Sequence, residues 1–263
     1  MLALKIVSLF SWFLVGFTMV MFTPAVGLGF LFDPSGNISH NIIRVWSRMV
    51  LFFARGNLCV HGQENLDPQK IYVLASNHEG NGDIPALFCA LPMQFKWAAK
   101  KELFQIPFFG WDMQFARYIP IDRTGCRDNG KTILQRISMQ MKKGHSILMF
   151  PEGTRSKNGE MGQFKSGTFR LAIQSQNDIV PIAIFGSRRG LPAKNWVIHG
   201  GKVIVNIGPP IPVKGLQETK NNIQFLSDLC KEKITSLRDQ AQRIDEAEVL
   251  IPSLLTRALN RLQ

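Results

Sequence analysis

His78 and Asp83 stand five residues apart in the stretch S-N-H-E-G-N-G-D-I-P-A-L, residues 76–87, with Gly80 and Gly82 between them. On a helix that separation would turn the two side chains about 140° apart. An imidazole and a carboxylate so spaced meet only if His78 lies on a loop and Asp83 opens the next helix as its N-cap. The pair then has defined chemistry. The carboxylate accepts a hydrogen bond from one ring nitrogen, fixes the tautomer and stabilises the imidazolium; the other nitrogen takes a proton from a hydroxyl. Alone the pattern is weak. Of the five histidines only His78 has an acidic residue at that distance, but 19 of 263 residues are acidic, and an aspartate cap beside an incidental histidine reads the same way.

Two further stretches could share a site with it. In I-L-M-F-P-E-G-T-R-S, residues 147–156, an apolar run delivers Glu152, Gly153, Thr154 and Arg155. An arginine fork beside a glycine in a loop suits a phosphate oxyanion. In A-A-K-K-E-L-F-Q-I-P-F-F-G-W, residues 98–111, two lysines precede an aromatic turn, and I-P-I-D-R follows, ending at Arg123.

These loops need elements to place them. Apolar β runs fall at 58–62, 71–76, 95–100, 117–122, 146–150, 179–185 and 202–207, with helical patterns at 84–91, 127–143 and 164–176 between them. In the second of these helices Ile133, Leu134, Ile137 and Met141 keep helical spacing. Near-continuous apolar strands alternating with helices predict an α/β fold: a mixed, largely parallel sheet covered by helices on both faces. Loops at the carboxyl edge of such a sheet are where ligands bind.

The N-terminus is of another kind. Ile6–Phe32 carries no charge, enough as a helix to exceed a bilayer core; Pro24, Gly27 and Gly29 predict a break after Thr23. Residues 37–56 read as a second helix lying in a membrane interface, with Arg44, Arg48 and Arg55 reaching headgroups and Trp46, Phe52 and Phe53 the acyl boundary; a domain helix with a solvated arginine edge is the competing reading. The division predicted is a membrane-associated helical hairpin over 1–57, an α/β domain over 58–215, and C-terminal amphipathic helices over 216–263 packed on it, with Pro252 separating a last short piece. The net charge of +12 suits an anionic surface or phosphate-bearing substrates, and a cytoplasmic location for the bulk of the chain. No zinc-finger spacing or aromatic nucleic-acid motif points to nucleic acid. Cys59, Cys89, Cys126 and Cys230 form no C-x-x-C pair, and no HExxH or Cys/His cluster argues for a metal.

In order, N-H-x4-D, A-K-K-E-L with I-P-F-F-G, I-D-R, F-P-E-G-T-R-S, F-K-S-G-T-F and I-V-P-I resemble the motifs of the glycerolipid acyltransferase family. Within it the chain is most similar to the bacterial 1-acylglycerol-3-phosphate acyltransferases, over roughly residues 60–212. The resemblance implies His78 as general base and Asp83 as its orienting partner. It implies Arg123, Glu152, Gly153, Thr154 and Arg155 as binding the phosphate-bearing acceptor, and Lys100 as a phosphate or oxyanion contact. Val180–Ile182 match the motif associated with the acyl side. The implied substrates are a lysophosphatidate and an acyl thioester of CoA or acyl carrier protein, with no cofactor, at the cytoplasmic face of an inner membrane. Many members carry serine where this chain has Gly80, and Glu79 would add negative charge near an anionic substrate. Glycerol 3-phosphate or another lysolipid is the alternative acceptor, and a non-catalytic lipid-binding protein the alternative class. A serine hydrolase fails on spacing, because Ser187 follows Gly186 directly and no G-x-S-x-G occurs.

Overall fold

The computed structural model describes residues 1–121, 128–156, 160–191 and 195–259, those at 128–132 and 248–259 as backbone alone. Arg123 lies outside the described residues. Among the described residues seven strands form one sheet: β1 (Gly56–His61), β2 (Val73–Ser76), β3 (Phe95–Lys100), β4 (Ile119–Ile121), β5 (Ser146–Met149), β6 (Ile179–Phe185) and β7 (Gly201–Ile207). Their order is β1-β7-β6-β2-β5-β3-β4. All neighbours are parallel except β6 and β7, which run antiparallel from Ile182↔Ile207 to Phe185↔Ile204. The mixed, largely parallel sheet predicted from the apolar runs is thus what forms.

Each strand sends alternate residues to opposite faces. In β2, Leu74 joins a core with Phe88 of α3 (Asp83–Ala90), Met113 of α4 (Phe109–Phe115) and Ile43 of α2 (Asn37–Phe53). Val73 and Ala75 join the other, with Ile137 of α5 (Asp128–Lys142), Phe169 of α6 (Gly167–Ser175) and Leu226 of α8 (Lys220–Leu259). Helices therefore cover both faces. Pro181 sits inside central strand β6 opposite Ala75 of β2, and its carbonyl accepts the Gly208 N–H at 2.9 Å just before the β6–β7 ladder begins at Ile182.

The N-terminal helix α1 (Leu2–Phe32) does not break at Pro24. Hydroxyls at Ser8, Ser11, Thr18 and Thr23 donate to the carbonyls four residues back, satisfying these polar groups within an otherwise apolar helix. Its burial is inverted relative to a soluble helix. Ser8, Ser11, Thr18, Thr23 and Gly29, with Val15 and Val26, are buried against the protein, while Leu9, Phe10, Phe13, Phe17, Leu28 and Phe32 point outward.

Two of the three arginines of α2 and its end differ from expectation. Arg44 donates to the carbonyls of Leu91 and Met93, and Arg55 to that of Ile198. These bonds bolt α2 to the domain through the carbonyls of buried Leu91, Met93 and Ile198. Phe52 alone of the aromatic trio is widely exposed. Lys96, fully buried on β3, closes the same joint: its ammonium donates to Ser35, Gly36 and Ala116 carbonyls, and burial lowers its pKa to about 8. At the other end α8 is one helix through Pro252, not two pieces. The remaining helix, α7, is the four-residue turn Ser187–Gly190 after β6.

Candidate active site

β2, β5 and β6 are neighbours at the centre of the sheet and run parallel. The loops that leave their carboxyl ends, 77–82, 150–156 and 186–190, must therefore meet at one edge. Asn77 fastens the first of them: its amide donates to the Ile184 carbonyl at 2.9 Å and accepts from the Ile184 N–H at 2.7 Å, continuing the β2–β6 ladder with a side chain.

His78 follows, with its Nδ1 2.5 Å from Oδ2 of Asp83. The Asp83 side chain is wholly buried while that of His78 is 17% exposed. Among the described residues Nε2 has no hydrogen-bond partner. The imidazole lies flat on Phe150, centroids 4.1 Å apart and planes at 17°, which limits ring rotation. The Asp83 carboxylate also accepts the N–H of Glu79 at 2.7 Å and of Gly80 at 3.1 Å through Oδ2, and the Ser187 hydroxyl through Oδ1. Asp83 is thus the first residue of α3, with Gly82 at the cap position. Its side chain does not cap the helix ahead of it. It turns back to close the loop behind it, which leaves no carboxylate oxygen for the N–H groups of α3.

The turn after β5 grips His78 by its backbone. Glu152 Oε1 accepts the His78 N–H at 3.1 Å, and the Ser156 N–H donates to the His78 carbonyl at 2.9 Å. The second oxygen of Glu152 accepts the Gly162 N–H at 2.9 Å. A buried carboxylate with both oxygens on backbone amides orders the site. Gly153 has φ +71, and a Cβ there would lie 2.8 Å from the Lys165 ammonium nitrogen. Thr154 and Arg155 are exposed and line a cleft of about 310 Å³ with Glu152, Ser156 and Glu160. Lys165, within F-K-S-G-T-F, is a cation that the sequence reading did not single out; its place in that motif was the available signal.

Lys100 ends β3 on the same sheet edge, half-exposed and 3.4 Å from Glu102. β5 lies between β2 and β3, so at strand spacing roughly 10 Å separates that strand end from the histidine loop. Glu79 does not face the cleft. Its buried carboxylate accepts from Arg238 of α8 at 3.1 Å; burial first, then the charge of Asp83, raise its pKa to about 7 against the opposing pull of Arg238. Gly80 meets α7 so closely that a Cβ would come within 2.9 Å of the Leu191 carbonyl oxygen. That contact explains glycine at this position.

The Acyltransferase family model matches residues 57–185, the span that holds these loops. The chloroplastic 1-acyl-sn-glycerol-3-phosphate acyltransferase LPAT1 of Arabidopsis thaliana is 36% identical over 187 residues, 69% of this chain and 51% of that protein. The 1-acyl-sn-glycerol-3-phosphate acyltransferase of Pseudomonas aeruginosa is 30% identical over 181 residues, 66% of this chain and 68% of that one. In structure the chain is similar to the 1-acyl-sn-glycerophosphate acyltransferase PlsC of Thermotoga maritima, with a TM-score of 0.76 and 22% identity over 90% of this chain and 96% of the other. The chain spans about half the length of the plant relative. With the motif loops assembled at one sheet edge and these relatives on both sides of the match, the chain belongs to the acyltransferase family.

Proposed function

We propose that this protein moves a fatty acyl group from a thioester of CoA or acyl carrier protein to the 2-hydroxyl of 1-acylglycerol 3-phosphate, forming phosphatidate. One observation carries the reading: His78 has Nδ1 committed to a buried carboxylate, while Nε2, in a side chain 17% exposed, has no hydrogen-bond partner among the described residues. Nε2 removes the proton of the acceptor hydroxyl as its oxygen attacks the thioester carbonyl. The C–O bond forms, the tetrahedral oxyanion collapses, the C–S bond breaks, and the imidazolium returns its proton to the departing thiolate. Asp83 stabilises the imidazolium throughout. No protein nucleophile is needed, because the acceptor hydroxyl fills the role of the serine in a hydrolase, and the chemistry asks for no cofactor beyond the thioester.

Arg155 and Thr154 hold the acceptor phosphate from the cleft side, Gly153 supplies the turn that presents them, and Lys165 adds charge nearby. Lys100 extends the cationic rim at the end of β3, as a phosphate contact in view of its distance along the edge, and the family resemblance gives Arg123 the same phosphate-binding role. Glu152 serves as the backbone anchor of His78. The outward phenylalanines and leucines of α1 support attachment to a bilayer, since a small-residue face inward and a large apolar face outward suit lipid surroundings. The excess of basic residues supports an anionic inner-membrane surface with the sheet on the cytoplasmic side. An acceptor already in that bilayer is favoured over soluble glycerol 3-phosphate.

The test is thiol release by detergent-purified protein given lysophosphatidate, other lysolipids and glycerol 3-phosphate, each with acyl-CoA and acyl carrier protein thioesters. Turnover greatest with lysophosphatidate supports the proposal. Turnover confined to another acceptor, or binding without turnover, overturns it.

A further inference from the structure

Among the described residues three N–H groups converge on Oδ2 of Asp83 and leave Oδ1 to a single donor, the hydroxyl of Ser187, 104 positions away in sequence. Both residues are 0% exposed, so water cannot replace that donor, and a buried carboxylate oxygen left without one is costly. Resting on the acyl-transfer reading, we infer that Ser187 is a positioning residue for this reaction: it holds Oδ1 so that Oδ2 stays aimed at Nδ1 of His78.

The placement of Ser187 is built from several sides. Gly186 turns the chain at φ +87, where a Cβ would come within 2.2 Å of the Lys202 carbonyl oxygen. The histidine loop then packs on α7 through Gly80, where a Cβ would meet Arg188 Cα at 3.1 Å, and the Asn81 N–H donates to the Leu191 carbonyl at 3.0 Å. Helix α8 braces the outer side with Asp245 on Arg189 at 2.8 Å and Arg238 on Glu79 at 3.1 Å. The torsion that swings a carboxylate is broad and two-fold, so a donor on each oxygen is what gives Asp83 one orientation. Ser187 cannot be a nucleophile in this arrangement: its hydroxyl is buried and bonded to the aspartate, not to the imidazole.

The experiment compares Ser187→Ala and Ser187→Thr with wild type in the full chain, purified in detergent. The readouts are kcat, both KM values, thermal midpoint, and the NMR resonance of the His78 Nδ1 proton, assigned by its loss in His78→Ala. We expect kcat to fall about tenfold in Ser187→Ala, the rate equivalent of about 1.4 kcal/mol, with both KM values within about twofold. The Nδ1 resonance should move, and Ser187→Thr, which retains the hydroxyl, should recover both signals. Wild-type kcat and resonance in Ser187→Ala overturn the inference while leaving the proposed function standing, as does equal loss in both variants. A wild-type protein without acyl transfer refutes the proposed function instead, and the Nδ1 resonance then decides alone whether Ser187 sets the His78–Asp83 bond.

Discussion

Replacing Asp83 by asparagine separates the charge of that residue from its geometry. Oδ2 receives three N–H groups, from the His78 ring, Glu79 and Gly80, and Oδ1 receives the Ser187 hydroxyl. An amide placed with its oxygen at the Oδ2 position keeps all three donors, and its nitrogen donates to Ser187 Oγ, which can accept as well as donate. The loop and the Nδ1–H tautomer of His78 therefore survive Asp83→Asn, and only the negative charge is lost. That charge matters when His78 becomes imidazolium. With about 4 Å between charge centres and an effective dielectric constant of about 20, the attraction is about 4 kcal/mol, close to three orders of magnitude in rate. Thiol-release kinetics should show kcat down by about 10²- to 10³-fold, with both KM values nearly unchanged and a thermal midpoint near that of wild type. A variant within tenfold of wild type would refute the reasoning, because the imidazolium would then not depend on the carboxylate.

Other outcomes follow from the same geometry. Arg155→Ala should raise the KM for the phosphate-bearing acceptor far more than the KM for the thioester; the opposite split removes Arg155 from the acceptor site. Glu79 has a folded pKa of about 7 against 4.5 in the unfolded chain, chiefly through burial, so the native state binds its proton more tightly. Its contribution to stability is present in full below pH 4.5, falls as pH rises to 7, and is flat above. At about 1.4 kcal/mol per unit this amounts to a few kcal/mol. Denaturant midpoints at pH 5 and pH 8 should differ by less in Glu79→Gln than in wild type, and an unchanged difference contradicts the assignment. Gly153→Ala should cost about 1–2 kcal/mol for a left-handed alanine before any displacement of Lys165, read as a lower denaturant midpoint.

The strands were legible because each is an apolar run bounded by turn residues, and Leu74 against Val73 and Ala75 shows why such a run needs both faces covered. The N-H-x4-D spacing correctly placed an imidazole on a loop before a helix. Bonds that join distant segments were out of reach. Glu152 to the His78 N–H and Ser187 to Asp83 span 74 and 104 positions, and no local pattern encodes them. Four-residue α7 and seven-residue α4 are too short to show a helical period. The prolines misled for a physical reason. Pro24 and Pro252 forfeit one hydrogen bond each, a loss that helices as long as α1 and α8 absorb. Arg44 and Arg55 look like surface arginines until the carbonyls they satisfy are brought beside them.

The central claim is that His78 Nε2 accepts the proton of the acceptor hydroxyl. It is tested most directly by the single-turnover rate of His78→Ala with saturating lysophosphatidate and acyl thioester, alongside its thermal midpoint. A folded variant slower by at least 10²- to 10⁴-fold, the usual worth of a positioned base, is the result predicted. A folded variant that transfers acyl groups at near the wild-type rate contradicts it.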